Sequence, residues 1–269
     1  MGDEALRYAV LLSRPEQLDF HALAEALARL RSVPVLDAVH EARSCWGILG
    51  GHQEEAAARQ EAAALAAAGF STLALPENLV EDLPDAVMAA RAELKPEASD
   101  FYGAEAAPLR VTAQDVVLLC AVVLKREATQ TITTQKDISL GQKALQVGLL
   151  MATGLPIGTA RMRKEEKKTV PSPELWGVLD IVLKDPARRL RLFSESFDYS
   201  CLGADKVYDT LGNLRVLARR LAALWPEAGR NRGLGFILEG KPQREMGYET
   251  LDDLEREARW LLTLRTLRA

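Results

Sequence analysis

The chain has 269 residues, of which 48% are hydrophobic and 27% are charged. This length and balance provide a sizeable core, exclude wholesale disorder and allow two domains. The net charge of −4 hides an asymmetry, because residues 1–107 carry a net charge of −10 and residues 108–269 a net charge of +6. The asymmetry predicts two units with different surfaces.

Cysteine usage and the N-terminus indicate the compartment. Cys45, Cys120 and Cys201 are widely spaced and form no CxxC pair, so we do not expect a disulfide framework. This cysteine usage is typical of a protein in the reducing cytoplasm. The opening MGDEALRYAV is acidic and lacks the apolar core of a secretion signal. We therefore predict a cytoplasmic protein.

One uncharged run, residues 144–160 (ALQVGLLMATGLPIGTA), raises the question of a membrane segment. A spanning helix needs about 20 consecutive apolar residues. This run is shorter, and it contains a glutamine, a proline and several glycines. We predict buried strands or a core helix here, and no membrane span.

The first 80 residues predict a small α/β domain. YAVLL (8–12) has the composition of a buried strand, and Leu23, Leu27 and Leu30 share one face of a helix. VLDAVHEAR predicts a second helix and CWGILGG a second strand. The alanine-rich stretch before Gly69 predicts a third helix, and FSTLAL the closing strand. The predicted order is βααβαβ.

This order over residues 6–77, with an alanine-rich helix, a glycine and a closing strand, resembles the C-terminal domain of the bacterial ribosomal stalk protein and the related peptide-adaptor domain of the Clp protease system. The stalk family contacts translation factors through a glycine- and lysine-rich turn between its first two helices. The corresponding stretch here, RSVPVLDAV, has neither glycine nor lysine. The resemblance therefore implies the fold without the stalk's function.

Residues 81–107 predict a linker, because Pro96 and Gly103 lie among acidic and small residues there. Residues 108–269 then predict a larger α+β domain of mainly antiparallel strands. VTAQDVVLLCAVVL predicts a strand, and LWGVLDIVL and RRLRLF predict a hairpin around Asp185-Pro186. FDYSCL and GFILEG are weaker strand predictions.

Two amphipathic helices are predicted to close the second domain. LGNLRVLARRLAALWP has a leucine face and ends at Pro226, and Asp209 or Asn213 provides its cap. The last helix is predicted to start at Thr250, with Asp253 completing a capping box. Strands closed by a helix resemble a pleckstrin-homology-like barrel in element order alone, which implies no function.

No catalytic, cofactor or metal motif emerges from the sequence. His40, Cys45 and His52 lack the tight spacing of structural zinc sites, so surface or cap histidines are predicted. Ser200-Cys201 is the most suggestive nucleophile pair, but residues 108–269 contain no histidine to act as its base. The predictions are no catalytic residues, no metal and no cofactor, with enzyme activity left open.

Two basic stretches predict contacts with a partner or an anion. RMRKEEKK (161–168) is polar on both faces of a strand, so it is predicted to form a hairpin tip or loop. GRNRG (229–233) predicts a glycine-bounded loop that holds an anion. The predicted contact residues are Arg161, Arg163, Lys164, Lys167, Lys168, Arg230 and Arg232.

The leading functional hypothesis is a cytoplasmic, non-catalytic binding or adaptor protein that contacts another protein or a second copy of itself. One alternative is a small-ligand protein or enzyme with a cleft between the two domains. Another is nucleic-acid binding through residues 161–168, extended by Arg188, Arg189, Arg191, Arg219 and Arg220.

Overall fold

The computed structural model of the chain describes residues 6–52, 54–103, 107–135, 165–184 and 188–268. It has the predicted α+β class, and its first elements follow the predicted βααβαβ order. Their bounds are β1 Tyr8–Leu12, α1 Phe20–Arg31, α2 Val35–Cys45, β2 Ile48–His52, α3 Glu55–Ala67 and β3 Thr72–Pro76.

The first sheet has the strand order β2-β1-β3, and β1 is antiparallel to both neighbours. Asp19 caps α1, because its carboxylate accepts hydrogen bonds from the backbone N–H groups of His21 and Ala22. Buried leucines on α1, with Leu65 on α3, pack beneath the central strand, whose residues 9–12 are all buried. Short apolar runs and helical periodicity were therefore sufficient signals for this part.

The segment 81–107, for which we predicted a linker, contributes strands to two sheets. These strands and the next are β4 Ala86–Met88, β5 Arg91–Glu93, β6 Ser99–Tyr102 and β7 Leu109–Val111. Strands β5, β6 and β7 form an antiparallel sheet, whereas β4 pairs in parallel with a later strand, β10. Phe101 is buried, so this acidic segment has its own core-facing positions.

A five-stranded sheet has the order β11-β8-β9-β10-β4. Its remaining strands are β8 Val116–Gln135, β9 Glu165–Leu183, β10 Arg188–Phe193 and β11 Gly229–Arg230. Strands β9 and β10 are antiparallel, as predicted, although residues 185–187 of the predicted turn lie outside the described residues.

Three described helices follow: α4 Thr210–Leu224, α5 Arg232–Glu239 and α6 Leu251–Thr266. Asp209 caps α4, and Thr250 and Asp253 form the predicted capping box of α6. Two weaker predictions were wrong. FDYSCL belongs to a 3-10 turn rather than a strand, and GFILEG lies in α5, which begins after Asn231 as N-cap and ends at Gly240 with φ 74°.

The chain forms two compact units: Met1–Leu124 with Leu175–Ala269, and Lys125–Glu174. The second contains the outer parts of β8 and β9. The first includes residues on both sides of the boundaries predicted at 80 and 107, so independent folding of those segments stays a prediction. No helix among the described residues is long and apolar enough to cross a bilayer, and residues 144–160 lie outside that part.

Candidate functional site

The predicted contact residues divide into those with described side chains and those without. Outside the described residues lie Arg161, Arg163 and Lys164. Lys167 and Lys168 lie in the first residues of β9, and their side chains are not described. The structure describes the side chains of the other two residues, Arg230 and Arg232.

The GRNRG stretch does not form the glycine-bounded loop that we predicted. Gly229 and Arg230 form the short edge strand β11, which pairs in parallel with Leu118 and Leu119 of β8. Asn231 then caps α5, accepting a hydrogen bond from the Leu234 N–H. A strand followed at once by a helix directs the two arginines to different surroundings.

Arg232 has a packing role at the start of α5. One of its Nη atoms donates to the carbonyl oxygen of Leu18 at 3.0 Å. Its guanidinium carbon lies 5.5 Å from the ring centre of Phe20 and 5.1 Å from that of Phe236. These cation–π contacts tie the guanidinium group to the protein's own rings, and Arg232 is not among the described residues that line the cleft at Arg230.

Arg230 lines a cleft of about 490 Å³, within the range of small-ligand sites. The edge strand β11 and the start of β8 form one wall, and the end of α6 forms another. The apolar lining consists of Pro15, Leu118, Gly229, Leu261 and Leu264. The charged lining consists of Arg230, Arg265 and Arg268. An arginine rim over an apolar floor can hold an anion that carries an apolar body.

Each of the three guanidinium groups is anchored by one backbone carbonyl. Arg230 donates to Ala222 at 3.0 Å, Arg265 to Glu227 at 3.0 Å and Arg268 to Ser13 at 2.8 Å. Within the described part of the chain, none of the three forms a salt bridge with a carboxylate. A guanidinium group has five N–H donors, so each arginine keeps donors for a ligand.

Gly229 lets β11 approach the floor of the cleft. A Cβ atom at this position would lie 2.5 Å from Cδ2 of Leu118 and 3.5 Å from an Nη atom of Arg265. A larger residue would therefore force the Leu118 side chain to shift, whereas its Cβ atom would meet Arg265 only in ordinary van der Waals contact.

A buried polar network joins the two walls behind the cleft. Asn231 exchanges hydrogen bonds with the backbone of Ala121 on β8 and donates to Glu257 on α6 at 3.0 Å. Glu257 also accepts from the backbone N–H of Arg232 and from the hydroxyl of Tyr248. Because this network fixes β11 against α6, it positions Arg230 relative to the arginines of α6.

Burial governs the titration of this network. It raises the pKa of Glu257, and the donors that surround the carboxylate oppose the rise. It also raises the pKa of the Tyr248 hydroxyl well above its ordinary value, so this group stays protonated and donates. The indole of Trp46 stacks on the Tyr248 ring at 4.1 Å and shields it from water.

Two arginines that we expected to extend a basic surface are buried instead. Arg191 makes a bidentate pair with the fully buried Asp180, through hydrogen bonds of 2.8 and 2.7 Å. Arg189 lies 3.5 Å from Asp180, and both arginines donate to Glu255 on α6. Strand β10 therefore directs these charges into the protein, away from any nucleic acid.

The groups weighed for metal or nucleophilic chemistry are held in local contacts. His52, on β2, pairs with the buried Glu61, and Ser200 donates to Asp198 at 3.0 Å. Burial raises the pKa of the Cys201 thiol. Within the described part of the chain, no three histidine, cysteine, aspartate or glutamate side chains are grouped to hold a metal ion.

Sequence reasoning missed the half of the cleft that α6 provides. Leu261, Leu264, Arg265 and Arg268 are spaced at i, i+3, i+4 and i+7, and therefore share one helix face. An apolar stripe that continues into arginines was the available signal. This stripe does not reveal the opposite wall of the cleft, because Leu118 and Arg230 lie in other parts of the sequence.

Comparison with known proteins gives no relative: no protein family model, no curated protein and no solved structure matches the chain.

Proposed function

We propose that this is a non-catalytic binding protein that takes an anionic ligand into the arginine-lined cleft. One observation carries the proposal: Arg230, Arg265 and Arg268 line one cleft, and no carboxylate is among the described residues that line it. Three positive charges without a counter-ion repel one another. An anion that accepts hydrogen bonds from them offsets this repulsion.

The chemistry of the lining supports binding rather than turnover. The described lining contains only arginine, leucine, proline and glycine. General acid–base and nucleophilic catalysis require side chains such as histidine, carboxylate, lysine, serine or cysteine. Arginine stays protonated at physiological pH, so it can stabilise negative charge but cannot exchange a proton.

Calorimetric titration with inorganic pyrophosphate tests this function. We expect one site per chain, and Arg230→Gln and Arg265→Gln should each weaken binding about 10-fold or more, the cost of a charge-assisted hydrogen bond. The matched control is Arg215→Gln, because Arg215 is exposed on α4, away from the cleft. Unchanged affinity in both cleft variants, or an equal loss in the control, would refute the proposal.

A second candidate function is supported by the turn between α1 and α2. Four apolar residues are exposed within seven positions there: Leu30, Val33, Val35 and Leu36. The side chain of Leu36 is 81% exposed. Clusters of exposed apolar side chains are typical of protein-binding surfaces. A protein partner at this surface would be one form of the binding or adaptor function expected from the sequence.

A pull-down that compares variants tests the second candidate. Leu36→Glu should lose a stoichiometric protein partner that the unmodified protein retains at both low and high salt. Leu79→Glu should retain it, because Leu79 is also exposed but lies in the 3-10 turn after β3. Loss from both variants, or from neither, would count against this surface.

A cytoplasmic location is part of the proposal. Its support is that Cys45, Cys120 and Cys201 are all free, with two of them buried.

A further inference from the structure

We propose that the ligand of the cleft is a phosphate monoester of an apolar alcohol, an inference that rests on the proposed function.

The rim favours a polyvalent head group. A carboxylate would neutralise one of the three positive charges. A phosphate monoester carries a charge of about −1.5 to −2 at pH 7 and presents three acceptor oxygens. Guanidinium groups bind such oxygens in bidentate geometry. A terminal phosphate therefore satisfies the rim of Arg230, Arg265 and Arg268 better than a carboxylate does.

The cleft is much larger than a phosphate group. Its volume is about 490 Å³, whereas one water molecule takes about 30 Å³ of liquid. A phosphate head displaces only a few waters, so most of the space remains for a body. That space is bounded by Leu118, Leu261 and Leu264, whose own side chains are almost fully buried, so the gain on binding comes from the hydrocarbon of the ligand leaving water.

The described lining does not recognise a polar body. Apart from the three arginines it contains no hydrogen-bonding side chain. A sugar or a base would lose water at its hydroxyl or amino groups without a side-chain acceptor in return, and each such buried group would weaken binding about 5- to 150-fold. The matching ligand is therefore an alkyl or aryl chain that ends in a phosphate.

A chain-length series tests the floor without altering the protein. Butyl, hexyl and octyl phosphate are titrated by calorimetry against inorganic phosphate at pH 7.5. Each methylene that the floor buries should tighten binding about fourfold, the ratio that corresponds to about 0.8 kcal/mol. Hexyl phosphate should then bind roughly 15- to 60-fold more tightly than inorganic phosphate if two to three methylenes are buried.

The head group is tested by a matched ligand and by pH. Hexyl sulfate has the same chain but one negative charge, so it should bind more weakly than hexyl phosphate at pH 7.5. At pH 5 the phosphate loses its second charge, because its second pKa is about 6, and the two affinities should converge. Arg230→Gln should reduce the advantage of hexyl phosphate at pH 7.5, and Arg215→Gln should preserve it.

The titrations can refute the ligand class without refuting anion binding by the cleft. Arginine-dependent binding of inorganic phosphate with no gain from chain length would leave the proposed function standing and overturn the ligand class. Equal binding of sulfate and phosphate esters at pH 7.5 would also overturn it. No binding of any anion, or binding that Arg215→Gln weakens equally, would remove both.

Sedimentation with phosphatidylcholine vesicles, with and without phosphatidic acid, identifies the source of the ester. Arginine-dependent sedimentation only with phosphatidic acid, together with binding of hexyl phosphate, supports a lipid as the ester. Binding of hexyl phosphate without sedimentation supports a dissolved ester. Sedimentation with both kinds of vesicle, unaffected by Arg230→Gln, together with no binding of hexyl phosphate, would contradict the proposed ligand.

Discussion

Asp180 shows how strongly one residue controls the charge balance of the core. It is fully buried on β9 and holds Arg191 through two hydrogen bonds, while Glu255 is shared by Arg189 and Arg191. Two cations and two anions are balanced there. Burial opposes ionisation of Glu255, but the two guanidinium groups prevail and lower the pKa of its carboxyl.

We expect Asp180→Asn to lower the free energy of unfolding by about 3–5 kcal/mol, because it leaves a buried arginine without its counter-ion. Urea denaturation followed by tryptophan fluorescence measures the loss. The control is Asp205→Asn, which removes a partner of Arg220 at the surface and should cost about 1 kcal/mol or less. Equal effects of the two substitutions would show that the buried network does not depend on its charge balance.

Burial of Glu257 makes stability depend on pH, and Tyr248 reduces that dependence. The pKa of Glu257 in the folded state is raised above its ordinary value of 4.5, so the folded protein loses stability as pH rises from 4.5 through that raised pKa. The Tyr248 hydroxyl donates to the carboxylate and limits the rise. Tyr248→Phe keeps the ring against Trp46 but removes this donor.

Tyr248→Phe should therefore lower the free energy of unfolding by about 1–3 kcal/mol at pH 8, with a smaller loss at pH 4.5, where Glu257 is protonated more fully in both states. Urea unfolding at pH 4.5, 6 and 8 provides the measurement. A penalty that is the same at all three values would mean that the hydroxyl does not act on the ionised carboxylate.

At the scale of the element, α5 contains two glycines in different surroundings. A Cβ atom at Gly233 would conflict with the carbonyl oxygen of Ala121 on β8, whereas a Cβ atom at Gly235 would meet nothing within 4 Å. Helix propensity alone predicts that alanine stabilises both positions. Because α5 lies so close to β8, we expect alanine to destabilise the protein at Gly233.

Thermal unfolding should distinguish the two substitutions. We expect Gly235→Ala to raise the free energy of unfolding by about 0.5–1 kcal/mol, through the lower conformational entropy of the unfolded chain. Gly233→Ala should lower it by about 1–3 kcal/mol, the usual cost of overpacking. If both variants gained stability, the contact between α5 and β8 would be looser than the structure shows.

The elements that sequence analysis predicted correctly carry their signals locally. The leucine spacing in α1, the capping box at Thr250 and the turn-flanked strands β9 and β10 are each readable within about 15 residues. The α5 helix was missed because its eight residues are too few for a clear periodicity, although Asn231 and Gly240 mark its ends.

The cleft was only partly predictable. Arg230 was predicted to contact a partner or an anion, and this stays a prediction, but the glycine-bounded loop from which it was argued was wrong. Strand β11 is only two residues long and exists because Leu118 and Leu119 offer an edge. Contacts between residues more than 100 positions apart decide such a site, and periodicity contains no information about them.

At the scale of the whole molecule, the last described helix is tied to the first strand. The indole N–H of Trp260 on α6 donates to the carbonyl oxygen of Leu12 at 2.6 Å, and the Trp46 indole donates to Asp253 on α6 at 2.9 Å. A Cβ atom at Gly47, which has φ 89°, would conflict with the Trp260 ring. Elements from the two ends of the chain therefore share one buried interface.

This interface predicts that the N-terminal sheet and α6 lose protection together. Trp260→Phe removes the donor to Leu12 and should lower the free energy of unfolding by about 1–3 kcal/mol, plus a cavity contribution. Hydrogen exchange followed by mass spectrometry should show faster exchange in β1 as well as in α6. The control is Trp176→Phe, on β9, where the ring is half-buried and packs against Phe193 at 5.6 Å. Faster exchange confined to α6 would instead mean that the first 80 residues hold their structure independently, as the domain boundary predicted from the sequence implies.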